Sequence, residues 1–271
     1  MSAHPAFSAV ARHYDASFTD TAVGRLQRER VWHWLAENLL GTPAVLELNC
    51  GTGADALWMA RRGWQVLATD IAAEMVAVTE EKLQQAGQQK LVTTRVCSFS
   101  EVNHLSEGPF DLIFSNFGGL NCAPPQTLDT VWKNLLDKLN PGGQLVLVVM
   151  GRFCAWETLY FLLKINPTQA FRRLRHEAVV ARLDQNTSVD TWYYSPGEIS
   201  AGLPADYILS KAQPIGFWLP PSYLDPFFAK MPRLLRVLHW LEKHAVASWM
   251  ARASDHYLLR ITKPPGVPQN L

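Results

Sequence analysis

The stretch Val45-Leu46-Glu47-Leu48-Asn49-Cys50-Gly51-Thr52-Gly53-Ala54-Asp55-Ala56 decides how the rest of the chain is read. An apolar-biased run enters a glycine-rich turn. A helical pattern follows at once, with Ala56, Leu57, Met59 and Ala60 on one side, Arg61 and Arg62 near its end, and Gly63 as its stop. Strand, tight turn and helix in succession open a nucleotide-binding α/β unit. The glycines let backbone approach a ligand, because no Cβ intervenes. The helix N-terminus offers unpaired N–H groups to an electron-rich ligand.

The next strand sharpens this. Trp64-Gln65-Val66-Leu67-Ala68-Thr69-Asp70 is a short apolar run ending in an acid. It ends about 20 residues beyond the glycines, the spacing at which a carboxylate meets a ribose. Asp70 can accept hydrogen bonds from both ribose hydroxyls, and Ile71 can cover a flat base. A dinucleotide and S-adenosylmethionine both suit this geometry.

At this point the chain resembles the class I S-adenosylmethionine-dependent methyltransferases, and within them the small-molecule enzymes. Their opening is an acid, any residue, then three glycines at alternate positions; here it reads Glu47, Asn49, Gly51, Gly53. Asn49 replaces the first glycine, a mild departure, because Asn tolerates positive φ. A dinucleotide site does not usually carry an acid at position 47, and Ala56 is compatible with both families. Asp111 at the opening of a fourth strand and the turn Asn140-Pro141-Gly142-Gly143 before a fifth are further marks of the family. The resemblance covers about the first 150 residues well and the last 60 loosely. It implies an α/β, Rossmann-like, doubly wound sheet of seven mostly parallel strands, the last one reversed. It also implies S-adenosylmethionine as cofactor.

Four segments are expected: a helical N-terminal lid (1–43), the cofactor-binding core (44–150), a substrate-side insertion (151–205), and the remainder of the core sheet with an inserted amphipathic helix (206–271). Phe7 to Leu40 reads as helical, with apolar residues at helical spacing and Gly41-Thr42-Pro43 as its close. In the core, helices are expected over Ala72–Leu83 and Leu128–Leu139, and strands over Leu91–Cys97, Phe110–Asn116 and Gln144–Met150. The near-continuous apolar runs suit strands buried on both faces. In the insertion, Phe153 to Leu163 fits a helix, Thr187 to Tyr194 looks extended, and Ser195-Pro196-Gly197-Glu198 starts a short capped helix. Tyr207–Trp218 is expected as the sixth strand, Phe228–Met250 as a helix, Asp255–Thr262 as the last strand, and Lys263–Leu271 as a loose, Pro-rich tail.

The net charge of +1 argues against a dedicated nucleic-acid binder. An apolar fraction of 48% supports a sizeable core. Ten tryptophans point to core packing and to an aromatic-lined pocket. The four cysteines, Cys50, Cys97, Cys122 and Cys154, lack zinc-site spacing and the density of a disulfide framework, which suits a reducing cytoplasm. No secretion signal is evident at the N-terminus and no apolar run is long enough to span a bilayer, so a cytoplasmic protein is expected. No metal is expected, and the oligomeric state is left open.

Ligands in open parallel sheets bind outside the carboxyl ends of the strands. Glu47, Asn49, Cys50, Gly51 and Gly53 follow strand one; Asp70, Ile71 and Met75 follow strand two. Ser98 and Phe99 follow strand three, and Ser115 ends strand four. All are candidate cofactor residues. Relatives often carry Asp where Ser98 stands. The phrase Tyr14-Asp15 resembles a pair near the start of many small-molecule members, and the resemblance places Tyr14 near the sulfonium. Of Arg25, Arg28 and Arg30, Arg28 is the choice for the methionine carboxylate, a group that guanidinium suits. Methyl transfer needs positioning and a dry site more than acid–base chemistry. Tyr14, Asn121 and His176 are the candidates for a catalytic role. The segment 115–121 lacks the Asn-Pro-Pro-aromatic motif of relatives that methylate nitrogen in nucleic acid and protein.

The expected reaction is methyl transfer to a small organic acceptor, aromatic or lipophilic, with no nucleic acid as partner. The rivals are a nicotinamide-dependent oxidoreductase and a non-catalytic S-adenosylmethionine-binding protein. Metalloid methylation ranks well below an organic acceptor, since the cysteine spacing is not the one expected of it. The basic amphipathic stretches Phe171–His176 and Phe228–Met250 leave peripheral membrane contact open, but without stable insertion; a packed lid with a solvated outer face is the preferred reading.

Overall fold

The computed structural model describes residues 5–265. The first four residues and the last six, including most of the expected loose tail, lie outside the described residues. The N-terminal segment comprises α1 (Pro5–Val10), a 3-10 turn, a π-helical turn (Asp15–Thr19) and α2 (Ala22–Asn38). The expected single helical run is therefore broken. Its break is held by Asp15, which pairs with Lys82 (2.7 Å) and accepts from Thr52 (2.5 Å), and Thr21 then caps α2 by accepting from Gly24 N–H (3.0 Å).

Strand and helix alternate next: β1 (Ala44–Leu48), α3 (Ala54–Ala60), β2 (Gln65–Asp70), α4 (Ala73–Gln85), β3 (Val92–Val96), β4 (Phe110–Ser115), α5 (Leu128–Asp137) and β5 (Leu139–Met150). The cap follows, with α6 (Ala155–Leu163), α7 (Pro167–Ala170), the hairpin β6 (Val179–Arg182) and β7 (Ser188–Thr191), and α8 (Pro196–Ser200). Then come β8 (Ile208–Leu209), β9 (Gln213–Ile215), α9 (Asp225–Phe228), α10 (Pro232–Lys243), α11 (Ser248–Ala251) and β10 (His256–Thr262).

The main sheet runs β3-β2-β1-β4-β5-β10, and β8 and β9 share the outer edge of β10. Pairings from β3 to β5 are parallel, and β10 is antiparallel to β5. The sheet is thus the seven-position, mostly parallel architecture expected, with its last strand reversed. The chain order reverses between β1 and β4, which makes their carboxyl ends the switch point. Alternate side chains serve opposite faces. Leu46, Ile113, Leu145 and Leu147 enter one apolar core; Val45, Leu112, Phe114, Val146 and Val148 enter the other. Burial on both faces explains the unbroken apolar runs.

Three local differences have plain causes. The expected sixth strand is two pieces, β8 and β9, with Ser210 between them, its hydroxyl accepting from Arg260 N–H (3.1 Å). The expected turn 140–143 is a bulge within β5: Phe110 pairs with Leu139 and Leu112 with Gln144. The expected long helix 228–250 is interrupted at Met231, because Pro232 starts α10 and disfavours helix before it, and again at His244. The cap of α8 is as read from sequence. Ser195 accepts from Glu198 N–H (3.3 Å), and Glu198 accepts from Ser195 N–H (2.8 Å).

Candidate functional site

The turn after β1 takes positive φ at Asn49 (45°), Gly51 (55°) and Gly53 (76°). Asn49 uses its side chain to tie the switch point together. Its amide donates to Asn116 O (2.8 Å) and its carbonyl accepts from Ser115 Oγ (2.6 Å). Gly119 leaves room for it: a Cβ there would lie 2.1 Å from Asn49 Cγ. Asp70 closes the turn from the other side, accepting from Gly51 N–H and Ala72 N–H, both at 2.9 Å. Burial raises Asp70 above the usual carboxylate range, and those two N–H groups pull against it.

Two clefts of opposite character meet over this turn. One, of about 140 Å³, is mainly apolar, with Ile71, Met75, Phe99, Val131, Asp70 and Ser98 among its walls. The other is polar, with Thr19, Arg28, Thr52, Asp55 and Asn116 in its walls. Tyr14, Asn49, Gly51 and Phe117 line both. The junction is therefore walled by two aromatic rings, with Phe18 tilted against Tyr14 at 5.5 Å and edge-on to Phe117 at 5.9 Å.

The polar cleft is built on a buried ion pair between Arg28 and Asp55. Asp55 also accepts from Trp32 Nε1 (2.6 Å) and Asn116 Nδ2 (2.9 Å). Burial opposes the charge on Arg28, but contact with Asp55 holds its pKa above the ordinary value. The guanidinium lies 4.9 Å from the centre of the Phe117 ring. Two buried polar atoms around this cleft lack a partner: Arg28 Nε and Glu47 Oε2. Burial first, then Asp55, push Glu47 well above the carboxylate range, with Arg28 pulling against them.

The structure brings most of the sequence-derived residues together. Of the three arginines considered, Arg28 enters the cleft; Arg25 is exposed, and Arg30 is buried with Nη2 on Ala245 O (3.3 Å). Cys50 lines the polar cleft; Ile71, Met75, Ser98 and Phe99 line the apolar one. Glu47, Gly53 and Ser115 lie one layer behind. Gly53 packs where a Cβ would meet Thr79 Cγ2 at 2.6 Å, and Ser115 supports Asn49. Ser98 donates to Glu101 Oε2 (2.6 Å). Burial pushes Tyr14 up to about 12, so it is a neutral phenol at physiological pH.

Asn121 and His176 stand elsewhere. Asn121 is fully buried, and its amide is committed to backbone: Nδ2 donates to Met150 O (3.1 Å) and Trp192 O (2.6 Å), and Oδ1 accepts from Met150 N–H (2.9 Å). It fixes the cap to the end of β5. His176 is exposed, 2.9 Å from Arg152 Nη2. Cys97 and Cys122 line the apolar cleft, and burial pushes their thiols up to about 11 and about 12. Cys154 is buried near Arg173, which joins the cap to the start of β10 through Asp255 (2.7 Å) and Glu157 (2.9 Å).

Sequence reasoning assigns no role to Asp55, Asn116, Phe117 or Thr19, all of which wall the polar cleft. A signal existed for three of them. Asp55 opens the helix that follows the glycine turn, and Asn116-Phe117 directly follow β4. Thr19 comes from the π-helical turn, which no periodicity announces.

Residues 45–143 match a family model described as a methyltransferase domain. The tRNA 5-carboxymethoxyuridine methyltransferase of Escherichia coli (strain K12) is 30% identical over 151 residues, 52% of this chain and 55% of that protein. The ribosomal RNA small subunit methyltransferase C of Alcanivorax borkumensis is 41% identical over 51 residues, 18% of this chain and 16% of that protein. The chain therefore spans about half of one of these relatives and a sixth of the other. Among solved structures, that of the DhpI-SAM-HEP complex superposes with a TM-score of 0.59 at 17% identity, covering 95% of this chain and 94% of that one. At that identity it shows a shared fold.

Proposed function

We propose that the chain, whose residues 45–143 match a methyltransferase domain, is a class I S-adenosylmethionine-dependent methyltransferase that transfers a methyl group from S-adenosylmethionine to a small lipophilic organic acceptor. The observation that carries this reading is the meeting of a polar and an apolar cleft at Tyr14, Asn49, Gly51 and Phe117. A charged amino-acid end suits the polar cleft. The orphaned Arg28 Nε awaits an acceptor there. A nucleoside suits the apolar cleft, with Asp70 at its ribose and Ile71, Phe99 and Ser98 around its base.

The cofactor supplies an electrophilic methyl on a sulfonium. The residues of this chain supply orientation and dryness. Arg28 takes the carboxylate as a guanidinium whose charge Asp55 maintains. Tyr14 and Phe117 wall the junction with aromatic surface, whose ring faces favour a cation. Asn49 fixes the turn so that Gly51, with nothing within 4 Å of its would-be Cβ, leaves backbone open to the ligand. Tyr14 acts as a neutral hydrogen-bonding group and not as a base at physiological pH.

The small acceptor is supported by the near-neutral net charge and the aromatic walls of the junction. The tRNA methyltransferase relative favours a second reading, a nucleoside in RNA. Incubation with methyl-labelled S-adenosylmethionine separates them. Label in the organic-extractable fraction of a cell extract supports the first reading. Label confined to tRNA overturns it in favour of the second. Cofactor binding without label in any fraction favours a non-catalytic role.

A further inference from the structure

The exposed charges of α9, α10 and α11 are all of one sign; Asp225, which opens α9, is half-buried and accepts from Val23 N–H (2.8 Å). From Pro226 to Ala253 the lysines and arginines are Lys230, Arg233, Arg236, Lys243 and Arg252, all exposed. The one acid in that span, Glu242, is fully buried. Its carboxylate accepts from the N–H groups of Gly216 (2.7 Å), Trp218 (2.8 Å) and Leu219 (3.3 Å). The same face exposes large apolar side chains. Trp240 and Trp249 are each 61% exposed and Phe227 64%, and Leu234, Val237 and Val246 are exposed beside them.

A packed lid does not account for this. The inner side of α10 is already satisfied: Leu235 and Leu238 pack with Val23, Leu219, Leu224 and Phe228. An ordinary amphipathic helix would then turn polar residues outward. Here Arg233, Val237, Trp240 and His244 follow one another along the outer stripe at helical spacing, mixing tryptophan and cation. The neighbouring α6, packed on α9 through Trp156 and Phe228 (5.4 Å), exposes Leu159 and Leu163, and just after it Ile165 is exposed and Lys164 lies over the Tyr160 ring (4.7 Å).

We propose that this face docks on an anionic lipid surface. Tryptophan and aliphatic side chains enter the acyl boundary, while lysine and arginine stems cover apolar surface and keep their charges at the headgroups. The charge sign selects this occupant. A two-fold contact with a second copy would set the same cations against each other. Contact is with the surface, since no helix among the described residues is long and apolar enough to cross a membrane. The same bundle packs on α2 through Val23 and Leu26, and α2 carries Arg28 into the polar cleft. The proposal does not depend on the reaction proposed above.

The test is co-sedimentation of the purified chain with vesicles of phosphatidylcholine alone and of phosphatidylcholine with phosphatidylglycerol. Binding to the anionic vesicles only, weakened by salt, is expected. Reversing Arg233, Arg236 and Lys243 to Glu should lower the partition coefficient by at least fivefold per charge, the order expected for a cation near an anionic surface. The double change Trp240→Ser and Trp249→Ser should abolish binding with an unchanged circular dichroism spectrum, these side chains being exposed. A blue shift of wild-type tryptophan emission on adding anionic vesicles gives a readout that needs no variant. Equal binding to both vesicle types, or none to either, overturns the proposal. So does a concentration-dependent dimer that the tryptophan variant dissolves while vesicle binding is absent.

Discussion

Gly119 and Asn49 should behave as one unit. Gly119 has an ordinary helical φ of −56°, so its glycine is a matter of space and not of conformation. In Gly119→Ala the new methyl would fall 2.1 to 2.5 Å from the Asn49 amide atoms and expel them. Two hydrogen bonds go with the amide, to Asn116 O and from Ser115 Oγ. At about 1 kcal/mol for each bond, plus about 1 kcal/mol or more for overpacking, the substitution should destabilise by about 3 kcal/mol. Asn49→Gly alone loses the same two bonds but suits φ 45°, so about 1.5 kcal/mol is expected. The double variant has no clash and should lose only the second amount, which makes the coupling about −3 kcal/mol. Urea unfolding of the four proteins, with slopes compared as well as midpoints, measures this. Titration with S-adenosylhomocysteine should rank them in the same order. Additivity of the single changes within about 0.5 kcal/mol would refute the shared-space explanation.

Asp70→Asn sets an amide N–H₂ against the donors Gly51 N–H or Ala72 N–H and removes the acceptor proposed for the ribose. Its affinity for S-adenosylhomocysteine should fall at least tenfold, about 1.4 kcal/mol by calorimetry. Arg28→Gln should weaken S-adenosylhomocysteine strongly and leave 5′-methylthioadenosine, which has no carboxylate, nearly unchanged; equal loss for both would remove Arg28 from the carboxylate. Arg152 and the Ser195 backbone hold Glu198 at about 2, below its ordinary 4.5. A lowered folded-state pKa contributes stability above the unfolded value and loses it as pH falls through the folded one. The Tm of the wild type should therefore drop between about pH 4.5 and 2, and Glu198→Gln should flatten that part of the profile.

Much of this architecture was legible because both signals are local. The glycine turn demands positive φ where Asn49, Gly51 and Gly53 stand, and apolar runs mark strands buried on both faces. The capping box at Ser195 and Glu198 was equally readable. What sequence could not display were contacts between distant segments. Asn121 reads as a polar residue near a site, yet the folded chain spends its amide on Met150 and Trp192. Arg25, Arg28 and Arg30 share one short stretch; only the rotation of α2 decides that Arg28 meets Asp55. The breaks at Thr19–Thr21 and at Ser210 arise from side chains bonding to backbone, which periodicity does not register.

The central claim is that the two clefts meeting at Tyr14 and Phe117 form one S-adenosylmethionine site. Calorimetric titration of the wild-type chain with S-adenosylhomocysteine, with NADH as control, tests it most directly. Binding in the micromolar range at one site per chain, with no heat from NADH, is the predicted result. No binding of S-adenosylhomocysteine at millimolar concentration, with NADH bound instead, would contradict it and return the glycine turn to a dinucleotide.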